Sequence, residues 1–420
     1  MAELVAANGD EQKESIWRQR DFMITWGGQA VSMQGDGLEG VAMNWWIMQV
    51  LGSASAAVLV QLAGFLPGIL LAPLAGAVAD RVDRKRLLMS VDTIRGVITG
   101  VVAWAMASGR LNLVWVLVAT VLMVSVGVFH GPALEASVSL LVPASLLNRA
   151  NGLTQMASSS AQIIAPIAGG VVVAALGPGA AVTLNSISFF LAALTLLWVV
   201  IPRPAAAENP ATGAEGGRKE SIWRDMGGGF RYLRQGEPML FFMLLFAALV
   251  NFALVPMGPL LPFMATRRLG LGAGGYGTMV IALPMGALAG STLASRFGNR
   301  IRRGQGVIWG IVTIGGCVAL FAASRNLPMA MSSLFLIGVG MAVANISSTG
   351  IFQTRVPQSM QGRVFAIRRA MALMASPVAL LLTAGLAQRV PVHWIIGVGG
   401  LVAGVSGLGG YLVPGLSRAD

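Results

Sequence analysis

The chain has 420 residues, 55% of them hydrophobic and 11% charged, with a mean hydropathy of +0.73. A soluble domain carries about a quarter charged residues, so this composition excludes a soluble globular protein and implies one that crosses a membrane many times. The formal charge of +12 would suit nucleic acid, but no basic cluster stands on a soluble segment, so no nucleic-acid partner is expected.

The N-terminal MAELVAANGDEQKES is polar and lacks the basic-then-apolar order of a cleaved signal peptide. Beyond it, runs of about 20 apolar residues predict twelve membrane helices. They lie near 22–50, 54–79, 87–108, 111–131, 152–176, 179–201, 239–264, 272–297, 305–324, 328–353, 365–388 and 391–415. Most connections are short. The exception, 202–238, includes ENPATGAEGGRKE, which has the composition of a flexible linker. The expected organisation is an N-terminal segment (1–21), a six-helix bundle (22–201), the linker (202–238), a second six-helix bundle (239–415) and a short tail (416–420). With a cytoplasmic N-terminus, the outer loops hold Arg110, Arg267, Arg268, Arg325 and Arg389, five of the 29 Lys and Arg residues. The positive-inside rule then puts both termini, and the linker, in the cytoplasm. Cys317, the one cysteine, sits in an apolar run and reads as a buried bystander.

The halves also repeat. KESIWR stands at 13–18 and again at 219–224, and GAVADRVDRKR at 76–86 has an echo in STLASRFGNRI at 291–301. Val142-Pro143 and Val356-Pro357 are 214 apart, and Pro166 and Pro377 are 211 apart. Nearly constant offsets at matching places argue for duplication. Two parallel six-helix repeats are the design of a transporter whose site lies near the midplane.

In the first helix, Gln29, Ser32, Asp36, Glu39, Met43 and Trp46 are spaced 3, 4, 3, 4 and 3, and so share one face. Ionisable groups in a membrane span are costly and usually functional. Two carboxylates one turn apart repel, which favours a proton on one of them. Asp36 is thus the expected proton site, with Glu39 as its modulator or as a contact for a cationic substrate. The competing reading has arginines neutralising both acids for structure alone. Against it, no arginine is placed at midplane depth. Asp92 and Arg95, spaced i,i+3, read as an ion pair bracing the neighbouring loop rather than a substrate contact. In the fifth helix, Asn151, Thr154, Ser158 and Gln162 form a polar stripe, expected to face a cavity. Between Glu237 and Asp420 there is no Asp or Glu, so carboxylate chemistry belongs to the first half. Asn251, 215 residues after Asp36, is its uncharged counterpart. His130 could relay a proton but reads first as a structural residue at a helix end.

GAVADRVDRKR resembles the loop between helices 2 and 3 of the major facilitator superfamily, with Gly76, Asp80, Arg81, Arg84, Lys85 and Arg86 in register. Asp83 stands where glycine is common, a variant associated with the macrolide-efflux-like branch. The resemblance implies a conformational gate, with basic side chains donating to the unsatisfied carbonyls of neighbouring helix ends. APIAGG is similar to the helix-5 signature of drug:proton antiporters; Pro166, Gly169 and Gly170 match, and Ala165 departs from its first glycine. GRVFAIRR with the later Pro377 resembles the start of helix 11 in the same branch. The resemblance spans nearly the whole chain. It implies an all-α membrane protein of twelve helices in two six-helix pseudo-repeats, in the bacterial cytoplasmic membrane.

The function expected is export of amphipathic or hydrophobic drug-like molecules, macrolides among them by resemblance, through proton antiport with alternating access. The alternative is a lysophospholipid or siderophore transporter of the same fold, with or without proton coupling. No ATP-binding loop of the G-x-x-x-x-G-K-[ST] type occurs. Two histidines and one cysteine are too few for a zinc or haem site, and no catalytic constellation stands out. No enzyme activity, metal or cofactor is therefore expected beyond the proton as coupling ion. The expected partners are the small-molecule substrate and the lipid bilayer, and the expected state is a monomer.

Overall fold

The computed structural model describes residues 15–202, 230–298 and 302–419. The second KESIWR and nearly all of the 202–238 linker lie outside the described residues. The described chain is helical. In the first half run α1 (Arg20–Trp46), α2 (Ala54–Arg81), α3 (Arg84–Ala107), α4 (Leu113–Gly127), α5 (His130–Leu141), α6 (Leu147–Leu176) and α7 (Pro178–Thr195). The second half has α8 (Pro238–Leu254), α9 (Met257–Phe263), α10 (Ala273–Val280), α11 (Ala282–Phe297), α12 (Arg303–Ala323), α13 (Leu327–Arg355), α14 (Gln358–Leu386) and α15 (Val392–Gly409).

Among the described residues, eleven stretches are long and apolar enough to cross a bilayer. The twelfth predicted span, α1, is one continuous helix of 27 residues, and its polar face is what lowers its hydropathy. Two predicted spans, 239–264 and 272–297, are broken into the helix pairs α8–α9 and α10–α11, and the span predicted at 111–131 runs on past a break, as α4–α5, to Leu141. Proline explains each break. Pro132, Pro259 and Pro284 cannot donate to the carbonyl four residues earlier, and the interruptions fall at Val128–Phe129, Val255–Pro256 and Ile281. Pro166 and Pro377 stay inside unbroken helices.

Two compact units emerge, one of residues 1–51 and 63–210, the other of residues 52–62 and 211–420. In the first unit α1 lies between α6 and α7, and glycine permits both approaches. A Cβ at Gly28 would collide with Thr195, and one at Gly35 with Asn185 and Ser188. On the other side, a Cβ at Gly37 would strike Ala165, and one at Gly169 would come within 3.2 Å of the Leu38 Cα and the Val41 Cβ. The motif position where Ala165 replaces glycine is thus matched by a glycine on the facing helix. Apolar packing around Phe22, Leu88, Ala133 and Leu196 closes one end of this unit.

In the second unit, Leu240, Ile308, Phe352 and Val364 are buried in one core. Its residues 52–62 are tied to the rest of it by Arg267, whose Nη2 donates to the Gly52 carbonyl at 2.5 Å, and by Gln388, whose Nε2 donates to Ser55 Oγ at 3.4 Å. Cys317 is half-buried rather than buried.

Candidate functional site

The polar residues of α1 meet partners on α3, α5 and α7, all within the first unit. Arg95 Nη2 lies 3.1 Å from both carboxylate oxygens of Asp36. The guanidinium also stacks on Phe189, 4.2 Å from the ring centre. Asn185 bridges the two acids, donating from Nδ2 to Asp36 Oδ1 at 3.3 Å and to Glu39 Oε2. Its own oxygen accepts from Ser188 Oγ at 3.0 Å, which fixes the amide with its donors toward the carboxylates. Gly35 makes the room for this amide.

A second cluster lies nearer the N-terminal end of α1. Gln29 Nε2 donates to Asp92 Oδ2 at 2.9 Å. Its Oε1 sits 2.8 Å from His130 Nε2, which places the donor hydrogen on that nitrogen. Asp92 Oδ1 is 3.6 Å from the same nitrogen and has no hydrogen-bond partner among the described residues. Accessibility falls from the first cluster to the second: the Asp36 side chain is 41% exposed, that of Arg95 16%, and that of Asp92 0%.

These contacts correct two expectations. An arginine does reach the depth of Asp36, and the partner of Arg95 is Asp36 rather than Asp92. Helix geometry gives the reason. Asp36 lies two turns beyond Gln29, roughly 10.5 Å along α1, while Arg95 lies only about 4.5 Å beyond Asp92 on α3. The long arginine side chain bridges the difference. His130, expected first as a lone helix-end residue, is wired to Gln29 and Asp92.

The profile of a family described as transmembrane secretion effector matches residues 15–413. The chain belongs to this family of major facilitator transporters. It is 27% identical over 409 residues to macrolide efflux protein A of Streptococcus pyogenes, covering 93% of this chain and 95% of that protein. It is 26% identical over 396 residues to the multidrug efflux pump Tap of Mycobacterium tuberculosis, covering 92% and 91%. Among solved structures it is similar to a bacterial homologue of the iron transporter ferroportin in an inward-facing state (14% identity, 94% and 99% coverage, TM-score 0.71). It is also similar to a bacterial homologue of the lysosomal transporter Spinster (13% identity, 97% and 98% coverage, TM-score 0.72). At such identities the structures show the fold, which is the major facilitator fold. The chain is a multi-pass membrane transporter and not an enzyme.

The remaining predicted residues of this transporter fall in several places. Gln29 and Ser32 are sealed in the bundle, Trp46 is buried and Met43 half-buried. Gln29 and Thr154 line a void of about 10 Å³. On α6, Asn151 and Gln162 are exposed, Ser158 is half-buried, and the Thr154 hydroxyl donates to the Ala150 carbonyl at 3.1 Å. On the same helix Ser160 hydrogen-bonds α1, accepting from Gln34 Nε2 at 3.0 Å. Pro166, Gly169 and Gly170 are buried in α6.

In the α2–α3 loop, Asp83 caps α3 by accepting from the Arg86 amide at 3.0 Å; an acid in place of glycine starts the next helix. Lys85 Nζ donates to the Leu197 and Val199 carbonyls just beyond α7, at 3.2 and 2.8 Å. Arg84 Nη1 donates to the Ala136 carbonyl at 3.2 Å. Arg81 and Arg86 are exposed and Gly76 half-buried; the Asp80 side chain lies outside the described residues.

In the second unit, Asn251 donates to the Ala247 carbonyl of its own helix and lines a cavity of about 870 Å³. That volume is within the usual range for small-molecule sites.

Proposed function

We propose that this transporter exports amphipathic drug-like molecules across a bacterial cytoplasmic membrane, driven by protons moving inward through alternating access. One observation carries the reading. Inside one membrane-spanning bundle, two clusters of side chains hold three carboxyl groups, Asp36, Glu39 and Asp92, against one guanidinium, Arg95. Unpaired charge in an apolar span is expensive, so charge balance there calls for protons on carboxyl groups. The efflux relatives support the substrate class.

In the mechanism, a proton entering from outside adds to a carboxylate oxygen of Asp36, its most accessible acid. The Asp36–Arg95 ion pair is then lost, and Arg95 keeps its contact with the Phe189 ring. Asn185, donating to both Asp36 and Glu39, makes each acid sensitive to the other. When the proton leaves toward the cytoplasm, the pair re-forms. Asp92, Gln29 and His130 form a separate, sealed cluster in the same bundle. The Lys85 and Arg84 contacts to carbonyls at the ends of α7 and in α5 act as a latch that must loosen in each cycle. Both termini lie on the cytoplasmic side, and the working unit is the monomer.

The test is export by the full chain in proteoliposomes, with substrate and proton flux measured together under an imposed pH gradient. Candidate substrates come from a susceptibility panel of cells with and without the gene. Substrate movement with no accompanying proton flux would leave a facilitator and refute the coupling.

A further inference from the structure

The geometry points to a binding site for an anionic amphiphile in the cavity of the second unit, with Arg368 holding its acidic head. Arg368 stands ten residues into α14, roughly 15 Å along the helix from Gln358. It lines the cavity of about 870 Å³ together with Arg369. Its Nη1 donates to Thr349 Oγ1 at 3.1 Å, its Nη2 donates to Asn345 Oδ1 at 3.0 Å, and its guanidinium lies 5.2 Å from the Phe352 ring centre. All three partners are neutral. Arginine has five N–H donors and does not lose its charge; the two bonds leave three donors.

Among the described residues, no carboxylate of this half is paired with that charge. Between Glu237 and Asp420 there is no acid, and Glu237 is paired with Arg355 at 3.8 Å. A cation held in a membrane span with neutral neighbours is costly unless it serves an ionic or substrate path. The opposite wall is apolar, with Met243, Phe246 and Ile311. The cavity thus offers a planar cationic fork beside a greasy surface. That combination fits a carboxylate, sulfonate or phosphate on an apolar body, since each presents two oxygens to the fork. At the 214-residue offset relating the halves, Arg368 takes the place of Thr154, so the charge belongs to the second half by sequence. This site does not depend on proton coupling or on export of drugs; either reading could fail with the site intact.

The test uses the full-length protein in phosphatidylcholine nanodiscs, titrated with octyl phosphate and with octyltrimethylammonium, which share a tail and differ in charge. Octyl phosphate is expected to bind the wild type at least about tenfold more tightly, the factor one charge-assisted contact supplies. Arg368→Gln should abolish the preference, Arg368→Lys should keep part of it, and Ala372→Phe, which fills the cavity, should block octyl phosphate. Discs doped with phosphatidic acid separate the sources of the anion. Competition assigns a lipid headgroup, and its absence assigns a soluble amphiphile. Equal affinity of the wild type for the two probes overturns the site, as does an unchanged preference in folded Arg368→Gln. If Arg368→Gln does not fold, the wild-type preference and Ala372→Phe decide the matter.

Discussion

Asp36→Asn isolates the proton from the fold. Asparagine keeps the shape and an oxygen that can still accept from Arg95, so the loss is of charge. The pair is only partly buried, with side-chain exposures of 41% and 16%, which places its worth nearer the surface range than the buried one. A destabilisation of about 1 kcal/mol is expected, small against the 5–15 kcal/mol by which folded proteins are ordinarily stable. The functional loss should be far larger. One proton crossing 100 mV contributes about 2.3 kcal/mol, and at about 1.36 kcal/mol per decade that supports roughly a 50-fold substrate gradient. Without a titrating group at Asp36 the attainable gradient should collapse to near one, while counterflow, which needs no coupling, continues. The assay is substrate accumulation in proteoliposomes under an imposed gradient, beside counterflow in the same vesicles. A monodisperse Asp36→Asn protein that still accumulates substrate as steeply as the wild type refutes the assignment.

Three further outcomes follow from the same contacts. Gln29→Leu strips the sealed Asp92 of its donor and should cost about 1–3 kcal/mol, as leaving a buried polar group unsatisfied does; its coupling to Asp92→Asn is read as thermal midpoints in a double-mutant cycle. Gly35→Val drives side-chain atoms into Asn185 and Ser188 and should cost about 1–3 kcal/mol by overpacking. Gly40→Ala, with nothing within 4 Å of its added carbon, should leave the thermal midpoint unchanged. Lys85→Ala removes the donor to the Leu197 and Val199 carbonyls and should lower the thermal midpoint and change the export rate, with charge retained in Lys85→Arg restoring both.

The helices were legible because a membrane span announces itself by length and apolarity, signals internal to each segment. Their breaks were legible in principle too, since Pro132, Pro259 and Pro284 stand in the sequence, yet Pro166 and Pro377 break nothing. Whether proline interrupts a helix depends on what packs around it. Asp36 and Glu39 stood out because acids are rare in a span. Their partners did not, because partnership is tertiary. Asn185 interrupts an apolar run and could have been flagged by the same reasoning that flagged the acids. Arg95 was misjudged because backbone depth alone was considered, without the reach of its side chain. The α6 stripe shows the limit of periodicity. Asn151, Thr154, Ser158 and Gln162 share a face, but Asn151 and Gln162 are exposed and α1 packs closely on Ala161, Ala165 and Gly169.

The two halves have diverged in charge while keeping their fold, and this makes the two proposed sites separable. The first unit carries three carboxyl groups around one arginine; the second carries Arg368 with neutral neighbours and, between Glu237 and Asp420, no acid. Asp36 is matched by Asn251 at an offset of 215, and Thr154 by Arg368 at 214, so at each of these positions one half carries a charge that the other lacks. If protons are handled in the first unit and an acidic ligand head in the second, substitutions should divide cleanly. Asp36→Asn should abolish gradient-driven accumulation and leave octyl phosphate affinity within about twofold of wild type, whereas Arg368→Gln should do the reverse to octyl phosphate and leave proton-coupled export of a neutral or cationic substrate largely intact. Sites that share no partners behave additively, so the double variant should show both losses and no more. A loss of octyl phosphate affinity in Asp36→Asn as large as in Arg368→Gln would mean that one site, not two, serves both charges.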